Sequence, residues 1–307
     1  MNFYKIILII LTIIGAILIE KRESGIIKKW FLGSRPFIAL HYFFPAVLGI
    51  FLGTFMFQKQ VNYLDAFLLM CAIFFSFQTS VVTNDVNDLR TDKISEKRSL
   101  LNASSQTIVH IHELGVYFFI ISILFALVIS YRMMLIVLLG HILHFTYSSR
   151  PFRLKRFYPI SILMLTLGAL LAGIAGFSLF EISKPFSAFP VKATLLIVVP
   201  LFFGLNFRDL ADYQGDKRTE VTTLFTIFGL NKGRYINAIL ILISYISIPL
   251  ILDFPLFFIV TIPLGILSLY FCLKQPFKEK YVFYIYFVLI TVFAIIFNLN
   301  PGIIVPK

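Results

Sequence analysis

Asp85-Val86-Asn87-Asp88-Leu89-Arg90-Thr91-Asp92-Lys93 and Asp209-Leu210-Ala211-Asp212-Tyr213-Gln214-Gly215-Asp216-Lys217 share one pattern, D-x-x-D-x-x-x-D-K. They begin 124 positions apart, and each closes a long apolar run. The chain has eight aspartates, and six of them lie in these two stretches. The runs in front of the motifs decide the fold class, and the carboxylates decide the chemistry.

Those runs are two of a series. The 307 residues are 59% hydrophobic and 14% charged, against roughly half apolar and a quarter charged in a soluble domain. Apolar stretches of membrane-spanning length lie at 36–57, 62–84, 111–130, 132–148, 159–180, 191–207, 234–252, 254–273 and 281–299. Pro36 suits the first turn of the first stretch. This excludes a soluble all-helical enzyme. Ahead of the series, Ile6–Ile19 is a shorter apolar run between Lys5 and Glu20. No small-residue cleavage site follows it, so it reads as an extra membrane helix. Ile26-Ile27-Lys28-Lys29-Trp30-Phe31 reads as an interfacial segment with Trp30 at headgroup level. The expected architecture is an all-α polytopic membrane protein, a nine-helix transmembrane bundle plus a short N-terminal apolar helix. The repeated motif predicts two similar halves. Residues 1–35 form the N-terminal segment and 36–307 the main transmembrane domain.

The net charge of +12 is read as topology and not as nucleic-acid binding. The connections alternate in charge. Segments 20–35, 85–110, 148–158, 208–234 and 274–280 carry 21 of the 27 Lys and Arg. The opposite set holds only Lys5, Lys59, Arg132, Lys184, Lys192 and Lys307. Excess basic residues mark cytoplasmic loops, so both Asp motifs are expected on the cytoplasmic side of the cell membrane. Cys71 and Cys272 lie inside apolar runs. They read as small buried hydrophobes, with no disulfide or metal spacing.

If each motif continues its helix, its three Asp residues fall at i, i+3 and i+7, within roughly 60° of one face. Carboxylates so gathered repel one another unless a cation sits among them, and Mg²⁺ typically bridges a few carboxylates to substrate phosphate. An Asp cluster at one helix end is commonly a solvated cap. Two clusters with identical spacing on one membrane side favour a metal-held diphosphate, with Lys93 and Lys217 adding positive charge. A third segment on that side, Tyr147-Ser148-Ser149-Arg150-Pro151-Phe152-Arg153-Leu154-Lys155-Arg156, offers guanidinium forks suited to phosphate oxygens.

Asn84-Asp85-x-x-Asp88-x-x-x-Asp92 resembles the N-D-x-x-D-x-x-x-D signature of the UbiA superfamily of intramembrane prenyltransferases. Asp209-x-x-Asp212-x-x-Gly215-Asp216 is similar to its second motif, and the 147–156 loop to its Y-S-x-P-P-L-R-L-K-R stretch. The resemblance implies a nine-helix fold, a prenyl diphosphate held by Mg²⁺ between the two motifs, and an allylic cation captured by an aromatic or lipid acceptor. It implies metal-binding and catalytic roles for Asp85, Asp88, Asp209 and Asp212, with Asp92 and Asp216 completing the metal set. It places Arg98, Arg153 and Lys155 on the diphosphate, and Asn84, Arg35 and Tyr147 near the acceptor. Two departures stand out. Ser99-Leu100-Leu101-Asn102 replaces the Pro and Gly usual after Arg98, and Arg150 stands where one Pro is usual.

Two further readings accompany the transferase: a terpene cyclase of the same superfamily, and an ion-coupled transporter. A transporter is expected to carry acids deep within its helices, whereas these lie at helix ends beside basic loops. His141 and His144 read as buried, hydrogen-bonded helix residues in preference to a metal pair or a base. His110 and His112 read as a solvated helix start. Gly168, Gly173 and Gly176 read as packing positions.

Overall fold

The computed structural model describes residues 3–33, 36–95, 105–180 and 185–304, which form helices joined by turns and loops, with no strand among them. The chain divides into two compact units. One comprises residues 1–54, 59–153 and 171–182, and the other 55–58, 154–170 and 183–307. Nine described segments are long and apolar enough to cross a membrane: Phe3–Arg22, Ile38–Phe57, Tyr63–Asp88, Val109–Ile129, Ile160–Phe180, Val191–Leu210, Leu230–Leu252, Pro255–Leu273 and Glu279–Leu299. The expected stretch at 132–148 is also a helix, Tyr131–Ser148. Arg132, His141 and His144 dilute its hydropathy.

The first unit contains α1 (Phe3–Arg22), α2 (Ile26–Gly33), most of α3 (Pro36–Phe57), α4 (Tyr63–Ser95), α5 (Ser105–Ile129), α6 (Tyr131–Ser148) and the end of α7 (Ile160–Phe177). Its longest element is α4, with 33 residues. At 1.5 Å per residue it reaches about 50 Å, against about 30 Å of hydrocarbon core. The helix therefore continues unbroken through the first Asp motif, as its spacing predicts. It packs against α5 and α6.

The N-terminal apolar run becomes a full-length helix because its polar ends are paired. Lys5, almost wholly buried, forms an ion pair with Asp65 in the first turn of α4. At the other end Arg22 lies 3.5 Å from Glu113, near the start of α5. Between them Tyr117 Oη donates to the Thr12 carbonyl at 2.5 Å, and Gly15 leaves room for the Tyr117 ring. Helix α1 thus runs the length of the α4–α5 hairpin. Its remaining face, including Phe3, Ile10, Ile14 and Leu18, is exposed as a lipid-facing surface would be. His110, expected to be solvated, instead lies between Glu23 and Glu113, with each ring nitrogen 3.1 Å from a carboxylate oxygen. Helix α2 then seats Ile26 against Val82 and Ile111, with Val86 of the motif packed on that cluster. Trp30 Nε1 donates to Gln78 Oε1 at 3.1 Å.

Helices α3 and α7 meet backbone to backbone. A Cβ on Gly49 would lie 2.0 Å from the Gly173 carbonyl oxygen, and one on Gly176 would lie 2.0 Å from that of Ala46. Only glycine permits this approach, which bears out the packing reading of Gly173 and Gly176.

The second unit contains the start of α7, α8 (Pro185–Ala188), α9 (Val191–Gly204), α10 (Tyr213–Arg218), α11 (Leu224–Phe228), α12 (Leu230–Leu252), α13 (Phe258–Leu273) and α14 (Glu279–Leu299). Helix α12 packs between α9 and α13, and Ser244 Oγ donates to the Pro200 carbonyl at 2.8 Å. Here the structure departs from a continuous helix through the motif. Helix α9 ends at Gly204, a 3₁₀ turn spans Leu205–Leu210, and α10 starts after Asp212. The three aspartates of the second motif therefore belong to three successive pieces of backbone. The turn is pinned from below by Leu210, Leu224 and Phe225, on which Tyr158 and Tyr213 pack. Thr223 and Thr226 close a capping box at the start of α11, satisfying backbone groups left open by the irregular path.

Candidate active site

In the first unit, the end of α4 meets the end of α6 and the basic loop. Asp85 and Asp88 are three residues apart on continuous helix, hence on one face. Asp85 is only 4% exposed. Ser148 Oγ donates to Asn84 Oδ1 at 3.3 Å, and Asn87 Nδ2 donates to Ser149 Oγ at 3.3 Å. Arg153 Nη2 donates to Asp88 Oδ1 at 2.9 Å. Four residues of the first signature and three of the basic loop thus form one polar cluster, which neither segment announces by itself.

Arg153 reaches Asp88 from a left-handed backbone conformation, φ 43°, a region that non-glycine residues seldom occupy. Its own N–H donates to the Ser149 carbonyl at 2.8 Å and closes the turn. Its Nε is buried with no hydrogen-bond partner among the described residues. A half-buried guanidinium with one arm on a carboxylate and a buried N–H unsatisfied is suited to a further anionic acceptor. Tyr147 is half-buried at the end of α6. The backbone of Asp92 continues α4. Arg35 and Arg98 lie outside the described residues, as do Ser99 to Asn102.

In the second unit the remainder of the basic loop is bound to the segment after the second motif. Thr222 donates to the Arg156 carbonyl through both N (2.9 Å) and Oγ1 (2.6 Å). Tyr158 N donates to Thr222 Oγ1 at 3.1 Å, and Arg156 Nη2 to the Thr219 carbonyl at 3.2 Å. Burial, and after it the nearby Asp209 carboxylate, hold the Tyr158 phenol above its ordinary pKa. Its hydroxyl thus stays protonated beside the first aspartate of the second motif. Asp209, Asp212, Asp216 and Lys155 are half-buried, whereas Lys217 is exposed, with its ammonium 5.9 Å from the centre of the Tyr213 ring.

Tyr158 and Asn206 were not foreseen from the sequence. Asn206, 2% exposed, donates to the Phe202 and Phe203 carbonyls at 3.1 Å. Its Oδ1 is buried without a donor among the described residues, three residues before Asp209. The lone amide ending an otherwise apolar span was the available signal.

The residues fit Mg²⁺. The donors are hard carboxylate oxygens, and a guanidinium already occupies the place of a cation at Asp88. Among the described residues no three His, Cys, Asp or Glu side chains converge tightly enough to hold a metal by themselves. Mg²⁺ does not need that: it commonly takes one or two carboxylates, keeps several waters and shares substrate phosphate oxygens.

Comparison with known proteins agrees with this reading. Residues 42–287 match the UbiA prenyltransferase family. The chain is 26% identical over 247 residues to the digeranylgeranylglyceryl phosphate synthase of Saccharolobus solfataricus, covering 76% of this chain and 84% of that one. Its fold is similar to that of a UbiA homologue from Archaeoglobus fulgidus bound to GPP and Mg²⁺, with TM-score 0.66 at 18% identity, covering 87% of this chain and 97% of that one. It is also similar to a structure of digeranylgeranylglyceryl phosphate synthase, with TM-score 0.58 at 18% identity, covering 89% and 98%. This all-helical integral membrane protein is a prenyltransferase and belongs to the UbiA prenyltransferase family.

Proposed function

We propose that the chain transfers a prenyl group from a prenyl diphosphate to the hydroxyl of a lipid acceptor in a Mg²⁺-dependent reaction. The observation that carries the diphosphate reading is the Asp85–Asp88–Arg153 cluster. The buried Asp85, the half-buried Asp88 and a guanidinium with an unsatisfied N–H stand together at the end of α4. The lipid acceptor is favoured over an aromatic one by likeness to the synthase that makes digeranylgeranylglyceryl phosphate, most of whose length this chain spans.

Asp85, Asp88 and Asp92 of the first motif and Asp209, Asp212 and Asp216 of the second would hold the metal. When bound, Mg²⁺ neutralises the diphosphate and stabilises its departure as a leaving group. The chain's own groups do the rest. Arg153, Lys155, Arg98 and Lys217 would balance diphosphate charge. Asn84, Tyr147 and Arg35 border the acceptor. The apolar helices exclude water from the allylic cation. The alternation of basic loops supports a site opening to the cytoplasmic side of the cell membrane.

Purified protein incubated with Mg²⁺, geranylgeranyl diphosphate and either a glycerol-phosphate lipid alcohol or an aromatic quinone precursor tests the reading. A prenyl ether from the lipid alcohol is the expected product. A prenylated ring from the aromatic acceptor alone, or a cyclic hydrocarbon formed without acceptor, contradicts it. Arg153→Lys keeps the charge but loses the planar fork. It is expected to weaken KM for the diphosphate, or lower kcat, by about 10- to 100-fold, in line with one or two charge-assisted hydrogen bonds. Steady-state kinetics at varied donor concentration measure it.

A further inference from the structure

The two histidines of α6, alike in sequence, have different surroundings. The buried stripe of this helix includes Met133, Val137, His141 and Ser148, and His144 falls on it between the last two. His141 is accounted for: its Nε2 lies 2.7 Å from Ser122 Oγ on α5, and its ring packs edge-on against Phe119. His144 has no hydrogen-bond partner among the described residues. Its recorded contact is an edge-on approach to the buried Tyr42 ring of α3, with centroids 5.7 Å apart. The residue is half-buried. The face of α6 that looks outward carries Leu135, Leu139, Ile142 and Phe145, all substantially exposed. His144 lies away from them, on the inner face of the helix.

That inner face leads along α6 to the reaction site. Ser148 is one helical turn beyond His144, and its hydroxyl holds Asn84, the neighbour of Asp85. One turn is about 5.4 Å along the axis. His144 therefore sits about one turn deeper into the apolar region than the carboxylates. A prenyl tail and a lipid acceptor extend in that direction from a diphosphate held at the motif.

From this geometry we propose that His144 is the general base of the transfer; this rests on the lipid-alcohol reading above. The acceptor hydroxyl oxygen attacks C1 of the prenyl group and forms the C–O ether bond. The bond from C1 to the diphosphate oxygen breaks, and its electron pair leaves with the diphosphate. The hydroxyl proton passes to a ring nitrogen of His144, which later releases it to water. An apolar interior offers few other acceptors for that proton. A neutral imidazole has one unshared pair in the ring plane, and a correctly placed base contributes typically 10²–10⁴-fold. The ionisable groups nearest His144 are the Tyr42 ring that touches it and His41 beside Tyr42. His141 is engaged by Ser122. His41 and Tyr42 lie on α3, and Asp85, Asp88 and Arg153 lie a turn further out.

The test uses the full-length protein in nanodiscs with Mg²⁺, geranylgeranyl diphosphate and the lipid alcohol. It compares wild type, His144→Gln and His141→Gln. His144→Gln is expected to lower kcat for ether formation about 100-fold, while the Kd for the diphosphate with Mg²⁺ stays within about twofold. The wild-type fall in kcat toward acid pH, caused by protonation of the base, is expected to vanish in His144→Gln and persist in His141→Gln. A merely structural role for His144 would not remove that acid limb. If wild type makes ether and His144→Gln retains kcat within threefold, or keeps the acid limb, the base assignment is wrong and the function stands. If wild type makes no ether, the lipid-alcohol reading fails and the base falls with it.

Discussion

Asp85→Asn and Asp209→Asn are each expected to lower turnover by about 10³-fold without loss of expression or of the folded state. Mg²⁺ and basic groups placed where the leaving diphosphate gathers charge act through preorganised electrostatics, and deleting one such element elsewhere costs about 10²–10³ in kcat. Asp85 is the stronger case. It is 4% exposed on the inner face of α4, one turn from the Asp88–Arg153 pair. Asparagine keeps its volume and removes the charge. Asp209 lies on the 3₁₀ turn beside Tyr158, in the unit that carries the second motif. Single-turnover prenyl transfer at saturating Mg²⁺ measures both. Near-normal rates in either variant contradict joint action of the motifs.

The second large effect is on stability. Gly176→Val is expected to destabilise the folded protein by about 3 kcal/mol, the upper end of the usual range for overpacking. Its Cβ would lie 2.0 Å from the Ala46 carbonyl oxygen. The obstacle is backbone, so no side-chain rotamer relieves it, and α3 must separate from α7. Gly140→Val, at a position where an added Cβ meets nothing within 4 Å, serves as the control and is expected to change stability by less than about 1 kcal/mol, helix propensity slightly favouring valine over glycine. Thermal unfolding in detergent distinguishes them. Equal melting temperatures for the two variants would contradict the close approach of α3 and α7.

Much of this was legible beforehand because the signals are local. Apolar run length identified the spans, and Asp spacing identified the carboxylate face on the unbroken α4. Where the structure departs from the reading, the cause is non-local. The second motif repeats the spacing of the first, but α9 stops at Gly204 and the turn is held by Leu224 and Phe225 from further along the chain. Lys5 flanks the N-terminal apolar run in the sequence; its burial depends on Asp65, sixty residues away. The Arg153–Asp88 pair joins two motifs that the sequence shows only separately. His141 and His144 share a helix and a residue type, and Ser122 on a neighbouring helix tells them apart.

The central claim is that the two Asp motifs act together through Mg²⁺ on a prenyl diphosphate. Its most direct measurement is the Kd for geranylgeranyl diphosphate on wild type, Asp85→Asn and Asp209→Asn, each with Mg²⁺ and with EDTA. The account predicts tight binding only for wild type with Mg²⁺, with both variants reduced to the EDTA level. Metal-independent binding in wild type, or full Mg²⁺ enhancement in either variant, would contradict it.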